Sequence, residues 1–245
     1  MSGRVARRRG TESMAQTGQT SPQHSPQRQN DRADASMDEI PLAPRWQAAI
    51  GILVLGLINF ILPSDLTLGP RWLLPVIELI LLVPLVVEGL TNRGLPPRIR
   101  RLLALILLGV VTVGMLGTVI LLVLSLSNST TKAVVLLRDA VLIWASNILV
   151  FALWYWEIDG GGPLKRREKG HQAADFLFPQ QADGNSGGWV PHFLDYVFLA
   201  FTAATALSPT DTFPLSRAAK FLMMLEAIIS MVVVVLLAAR AVNIL

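Results

Sequence analysis

Hydroxyl and carboxylate side chains are concentrated near the C-terminus, in a stretch that reads FTAATALSPTDTFPLSR at positions 201–217. Oxygen atoms of this kind are the ligands that small hard cations prefer, and rings of carbonyl or acidic groups line cation pores. If the stretch lies at membrane depth, its non-helical backbone must be buried in protein or line a wet cavity, so the stretch is a candidate functional site. The candidate ion-lining residues are Thr202, Thr205, Ser208, Thr210, Asp211 and Glu226.

The remaining reactive side chains do not form a catalytic pattern. The three histidines, His24, His171 and His192, are far apart in the sequence, and HExxH, GxSxG and paired intramembrane aspartates are all absent from it. Ser208 has no motif neighbour that would activate its hydroxyl group. The chain contains no cysteine, which excludes disulfides, thiolate nucleophiles and cysteine-based metal sites. We therefore predict no enzymatic activity, no cofactor and no metal centre.

These candidate residues lie in a chain that is built for a membrane. Of its 245 residues 52% are hydrophobic and only 16% are charged, and the mean hydropathy is +0.52. The apolar residues form long runs, which is typical of an integral membrane protein. The basic residues flank these runs, so they indicate orientation in a bilayer and not a nucleic-acid partner.

The composition changes along the chain predict four regions. Residues 1–40 are polar and predict a disordered tail, and residues 41–157 contain four apolar runs that predict transmembrane helices. Residues 158–190 predict a polar connector loop, and residues 191–245 predict a short helix followed by a final transmembrane helix at 217–243. The four apolar runs cover about 46–62, 72–90, 102–125 and 139–157.

The segments between the apolar runs are alternately rich and poor in lysine and arginine, and this alternation predicts the orientation of the chain in the membrane. Cytoplasmic loops carry the excess of basic residues, so the N-terminus and the 158–190 loop are expected in the cytoplasm. The rich gaps hold Arg28, Arg32 and Arg45, then Arg93, Arg98, Arg100 and Arg101, then Lys165, Arg166, Arg167 and Lys169, whereas the poor gaps hold Arg71 and Lys132.

The short helix before the final one has two interpretations. The stretch HFLDYVFLAFTAATAL, residues 192–207, is slightly short for a bilayer crossing. Asp195 is expected in its first turn, where the helix dipole stabilises a carboxylate, and Ser208-Pro209 is expected to end the helix. We thus predict an all-α membrane protein of about five transmembrane helices plus a short helix that either re-enters the membrane or crosses it as a sixth.

The order of residues in this region resembles the pore region of tetrameric potassium channels and their relatives. In those channels an acid opens a short aromatic-rich helix, threonines close it, and a TVGYGD-like filter, a proline and an inner helix follow. The filter positions here, 206–210, read ALSPT and contain no glycine, so the resemblance implies a pore loop without potassium selectivity. The matching residues are Asp195, Thr202, Thr205, Asp211, Pro214 and the helix that starts near Arg217.

Residues 37–245 as a whole also look like a family of bacterial integral membrane proteins of four to six helices with no assigned activity. The segments that carry this resemblance are LGPRWLLPVIELILLVPL, WYWEIDGGGP, DFLFPQ and ALSPTDTFPLSRAAKFLMMLE. The resemblance implies a location in the bacterial inner membrane.

Two carboxylates fall inside apolar runs, Glu78 in the second and Glu226 in the last. A charge there costs about 2.5 kcal/mol or more, so such groups pair, stay protonated or face a cavity. Either residue is thus a proton- or cation-responsive group or a structural one. Asn59 and Asn147 are expected to bridge helices through hydrogen bonds.

These observations lead to two main hypotheses. The first is a homo-oligomeric protein with a degenerate pore loop that binds or conducts a small cation, in which Glu226 faces the loop. The second is a non-conducting membrane scaffold or interaction protein, in which residues 205–214 are a turn between two helices. A solute carrier is a third interpretation, without an inverted repeat to support it.

Overall fold

The computed structural model describes residues 46–91, 96–125, 133–205 and 211–242, and within them it places every side chain except those of residues 84–91, 97, 133 and 240–242. The predicted tail, residues 1–40, and the candidate residues Ser208 and Thr210 lie outside the described part of the chain.

The described residues are mostly helical. Three of their helices are long and apolar enough to cross a membrane, at Arg98–Ser125, Val134–Gly161 and Arg217–Ala239. This confirms the prediction of an all-α transmembrane protein, although these three fall short of the five crossings expected. In chain order the helices are α1 Trp46–Ile61, α2 Leu73–Thr91, α3 Pro97–Ser125, α4 Ala133–Ile158, α5 Pro163–Glu168, α6 Phe193–Thr205 and α7 Arg217–Val242.

Helix α4 lies at the centre of the bundle. It packs against α1, α3, α6 and α7, while α2 packs against α1 and α3. Its buried face includes Val150, Phe151, Ala152 and Tyr155, none of which is more than 1% exposed. The helix begins at Ala133, six positions before the apolar run that predicted it. As a result Asp139 is buried in the second turn of α4, where it pairs with the exposed guanidinium of Arg138 at 2.7 Å.

The segment between α4 and α6, predicted as an irregular polar connector, contains regular structure. It holds a 3-10 turn at Asp159–Gly161, helix α5, strand β1 at Phe176–Leu177 and a second 3-10 turn at Pro179–Gln181. Strand β2, Phe213–Pro214, follows α6 in the chain and pairs with β1 in antiparallel fashion. Phe176 lies opposite Pro214, and Leu177 lies opposite Phe213.

Helix α6 has 13 residues and is shorter than the 16-residue apolar stretch that predicted it. Asp195 lies in its first turn, as expected. One carboxylate oxygen of Asp195 accepts a hydrogen bond from the backbone N–H of His192 at 2.7 Å, which fixes the chain as it enters the helix.

Candidate functional site

Helix α6 begins beside the C-terminal end of α4. The ring of Phe193 packs edge-on against Trp156 in the last turn of α4, with 6.0 Å between centroids. Strand β1 lies at the same end, because the ring of Phe176 is 5.1 Å from that of Tyr155. Since β1 pairs with β2, the chain that leaves at Phe193 returns to this end of the bundle by Phe213.

The other end of α6 lies deep between the two long helices. The hydroxyl of Ser230 in α7 donates a hydrogen bond to the carbonyl oxygen of Ala204, and the indole N–H of Trp144 in α4 donates to the Ser230 hydroxyl at 2.9 Å. Trp144 precedes the last residue of α4, Ile158, by 14 positions, which at 1.5 Å per residue is about 21 Å along the helix. The tip of α6 therefore lies about halfway along α4 and α7.

The two candidate threonines of α6 are bonded to their own helix. The Thr202 hydroxyl lies 2.8 Å from the carbonyl oxygen of Leu199 and 3.0 Å from that of Phe198. The Thr205 hydroxyl lies 2.8 Å from the carbonyl oxygen of Phe201. Each hydroxyl group uses its proton in this way and keeps oxygen lone pairs that can accept or coordinate. Asp211, at the end of the return, is exposed and directly precedes the buried Thr212.

Glu226 is fully buried in the interface between α7 and α4. One carboxylate oxygen accepts a hydrogen bond from the hydroxyl of Tyr155. Asn147 bridges the same two helices, as predicted, by donating to the backbone carbonyl oxygen of Glu226 at 3.4 Å. Within the described chain, Oε1 of Glu226 and Oδ1 of Asn147 have no hydrogen-bond partner. The carboxylate of Glu226 thus lies against α4, and Ser208 and Thr210 of the hydroxyl stretch that the sequence predicts it to face lie outside the described residues.

Glu78 belongs to a different contact, between α2 and α1. Its side chain is 2% exposed, and its Oε1 accepts a hydrogen bond from the Asn59 amide at 3.0 Å. This confirms the interhelical bridge expected for Asn59.

A cluster that the sequence did not predict fixes α6 to α4. Arg166 in α5 is 2% exposed, and its guanidinium carbon lies 4.8 Å from the ring centroid of Trp156 and 5.3 Å from that of Tyr196. Its Nη1 donates to the carbonyl oxygens of Trp156 at 2.6 Å and Asp159 at 2.7 Å. A buried cation is thus balanced by helix-end carbonyl groups and by two aromatic faces, the first on α4 and the second on α6.

The carboxylate of Asp159 completes this cluster. Its Oδ2 accepts a hydrogen bond from the Tyr196 hydroxyl at 2.6 Å, and its Oδ1 accepts from the backbone N–H groups of Asp175 at 3.1 Å and Phe176 at 3.3 Å. One side chain therefore joins the end of α4, strand β1 and the first turns of α6. The sequence signal was the motif WYWEIDGGGP, which composition alone had assigned to a helix end and a connector.

The glycines of that motif have a structural role. Gly160 has a φ of +60°, and a Cβ atom there would lie 2.8 Å from Cγ of Arg166. The backbone therefore turns tightly beneath the guanidinium, in a conformation that glycine adopts at little cost.

Among the residues that the structure describes, no group of three histidine or acidic side chains could hold a metal ion. Comparison of the chain with protein-family models, with curated proteins and with solved structures finds no match. The argument for function therefore depends on the geometry of α6 and its surroundings.

Proposed function

We propose that this chain is a subunit of a homo-oligomeric pore in a bacterial inner membrane, and that residues 193–214 form a re-entrant loop that binds or conducts small cations. The observation that supports this most directly is the pairing of β2 with β1. Because both flanks of α6 lie at one end of the bundle, α6 enters between the long helices and the following residues bring the chain back.

The length of the chain agrees with this path. Helix α6 has 13 residues, so it reaches about 20 Å into the bundle. Seven residues, 206–212, connect it to β2, and a fully extended chain of that length spans at most about 25 Å. A connection of that length is long enough to bring the chain back from the tip of α6 to β2. Irregular backbone at membrane depth is stable only if protein surrounds it or if it lines a wet cavity.

The charge of the loop favours cations. Between Phe193 and Ser216 the sequence contains no lysine or arginine, but it contains Asp195 and Asp211. Side-chain oxygens of Thr202, Thr205, Ser208 and Thr210 add neutral ligands. Several copies of the chain, each contributing one loop, would form a ring of acidic and hydroxyl oxygens around a common axis.

Apolar surface beside the loop is available for contacts with lipid or with further copies. Leu194 and Phe198 on α6 are 70% and 61% exposed, and α7 exposes Phe221, Met224 and Met231 to a similar degree. In this arrangement α1–α4 and α7 make five crossings, and the alternation of basic gaps favours a cytoplasmic N-terminus and a cytoplasmic 158–190 loop.

Ion flux into liposomes that contain the purified protein tests this function. We expect cation-dependent flux, and we expect Asp211→Asn to reduce it at least tenfold. Asp65→Asn is the matched control, because Asp65 is an exposed acid in the turn between α1 and α2, outside the loop. Absence of flux from the wild-type protein, or equal flux from both variants, would contradict the proposal.

A non-conducting membrane scaffold is the second candidate. It is favoured by the hydroxyl protons of Thr202 and Thr205, which are used within α6, and by the burial of Glu226 against Tyr155. If the wild-type protein is folded and gives no ion flux, the scaffold function is the one supported.

A further inference from the structure

Helices α1 and α2 enclose a groove of about 200 Å³. Its walls are apolar side chains that include Leu53 on α1 and Pro75 and Leu79 on α2, and Glu78 is the acidic residue among them. Leu53 and Leu79 are each about half exposed, at 53% and 52%. The groove thus opens through the outer, apolar surface of the helix pair.

The carboxylate of Glu78 is only half satisfied. Asn59 donates to Oε1, but Oε2 is buried and has no hydrogen-bond partner in the described part of the chain. A Cβ atom on Gly56 would lie 2.9 Å from this same oxygen. Gly56 also lines the groove, and the absence of a side chain at this position leaves space next to Oε2.

A buried carboxyl group with an unpaired oxygen either stays protonated or pairs with a cation. An ionised acid in an apolar site is stable only when a cation or several donors compensate it, and Asn59 supplies a single donor. No histidine or further acidic residue joins Glu78 in a metal-binding group among the described residues. A ligand that pairs with the ionised form would therefore carry one diffuse positive charge on an apolar body.

We propose that this groove binds a small amphipathic organic cation, whose ammonium group pairs with Oε2 of Glu78 and whose aromatic or alkyl part contacts Leu53, Pro75 and Leu79. The size agrees, because a closed apolar cavity of about 150 Å³ accommodates benzene. The ligand reaches the site through the exposed apolar side. The proposal does not depend on conduction by the α6 loop.

Carbodiimide labelling of the full-length protein tests the site. Dicyclohexylcarbodiimide adds to a carboxyl group in an apolar environment, and the adduct rearranges to a stable N-acylurea without a leaving group. We expect peptide mass spectrometry to find the adduct on Glu78. Benzyltrimethylammonium should slow this labelling at least tenfold, whereas neopentylbenzene, its neutral isostere, should leave the rate unchanged.

Two outcomes of the protection assay overturn the proposal. Equal protection by both compounds would identify an apolar groove without charge recognition. Labelling that neither compound slows would identify a proton-binding carboxyl group without an organic ligand.

Variants of the groove provide a second test that keeps the carboxylate in place. Leu53→Trp fills the mouth of the groove and should lower both labelling and protection at least fivefold. Leu57→Trp is the matched control, because Leu57 lies one turn further along α1, is 57% exposed and does not line the groove. Glu78→Gln should abolish the adduct at this position. Equal labelling and protection in the two tryptophan variants would overturn the proposal.

Discussion

The Ser230 hydroxyl donates a hydrogen bond to the carbonyl oxygen of Ala204 and so joins the middle of α7 to the last turn of α6. The final carbonyl groups of a helix have no partner within the helix, and a buried one without a partner is costly. Ser230 also accepts a hydrogen bond from Trp144, so a single side chain connects α4, α6 and α7. The position of the α6 tip thus depends on this residue.

We predict that Ser230→Ala destabilises the protein by about 1–3 kcal/mol, because both the Ala204 carbonyl and the Trp144 N–H lose a partner. Thermal unfolding in detergent measures this effect. Met231→Ala is the control, because the neighbouring Met231 is 63% exposed. Equal unfolding temperatures for the two variants would show that the hydrogen bonds contribute nothing.

Single-cysteine labelling tests whether α6 and the residues after it re-enter the membrane or cross it. The chain has no native cysteine, so each introduced cysteine is the only site of labelling. Lys165→Cys and Asp211→Cys should react with an impermeant maleimide from the same side of the membrane, because β1 and β2 bring residues 175–178 and 213–214 together. Val134→Cys, at the exposed start of α4, should react from the opposite side. Labelling of positions 211 and 134 from one side would mean that residues 193–211 cross the membrane.

Gly160→Ala should destabilise the protein by about 1–3 kcal/mol, because the left-handed backbone is strained for alanine and the methyl group meets Arg166. Gly187→Ala should have an effect near zero, since nothing lies within 4 Å of a Cβ atom at that position. Limited proteolysis of the loop between α4 and α6 provides a second measurement, in which the protease is expected to cut only the Gly160→Ala variant faster than the wild-type protein. A neutral Gly160→Ala would contradict the role assigned to this turn.

Because Tyr155 and Glu226 are hydrogen-bonded to each other, we predict that substitutions of the two residues have non-additive effects on the free energy of unfolding. Tyr155→Phe leaves a buried carboxylate without its donor and should cost about 1–3 kcal/mol. The double variant Tyr155→Phe/Glu226→Leu removes both polar groups and should recover most of that loss. Unfolding measurements on the single and double variants form the cycle, and strictly additive losses would refute the coupling.

The sequence predicted the features that depend on local pattern. Apolar runs placed the ends of the long helices to within six residues, and the acid at position 195 marked the first turn of α6, because length, hydropathy and capping are properties of neighbouring residues. The interhelical role of Asn59 was also predictable, since an amide in an apolar run must find a partner.

The remaining features depend on contacts between residues far apart in the chain. Arg166 was counted as one of the loop's basic residues, but it is buried between Trp156 and Tyr196. Likewise, the two-residue strands carry no periodic signal, since their partners are separated by the whole of α6. Glu226 was assigned to the correct helix, but its orientation toward Tyr155 depends on the rotation of α7 against α4, which hydropathy does not determine.

The backbone hydrogen bonds between β1 and β2 connect the segment that precedes α6 to the residues just before α7. A displacement of β1 would therefore be transmitted to the start of α7 through β2 and to α6 through Asp159, which is hydrogen-bonded to both Phe176 and Tyr196. The two-stranded ladder would then couple the position of the loop between α4 and α6 to that of the 26-residue helix α7.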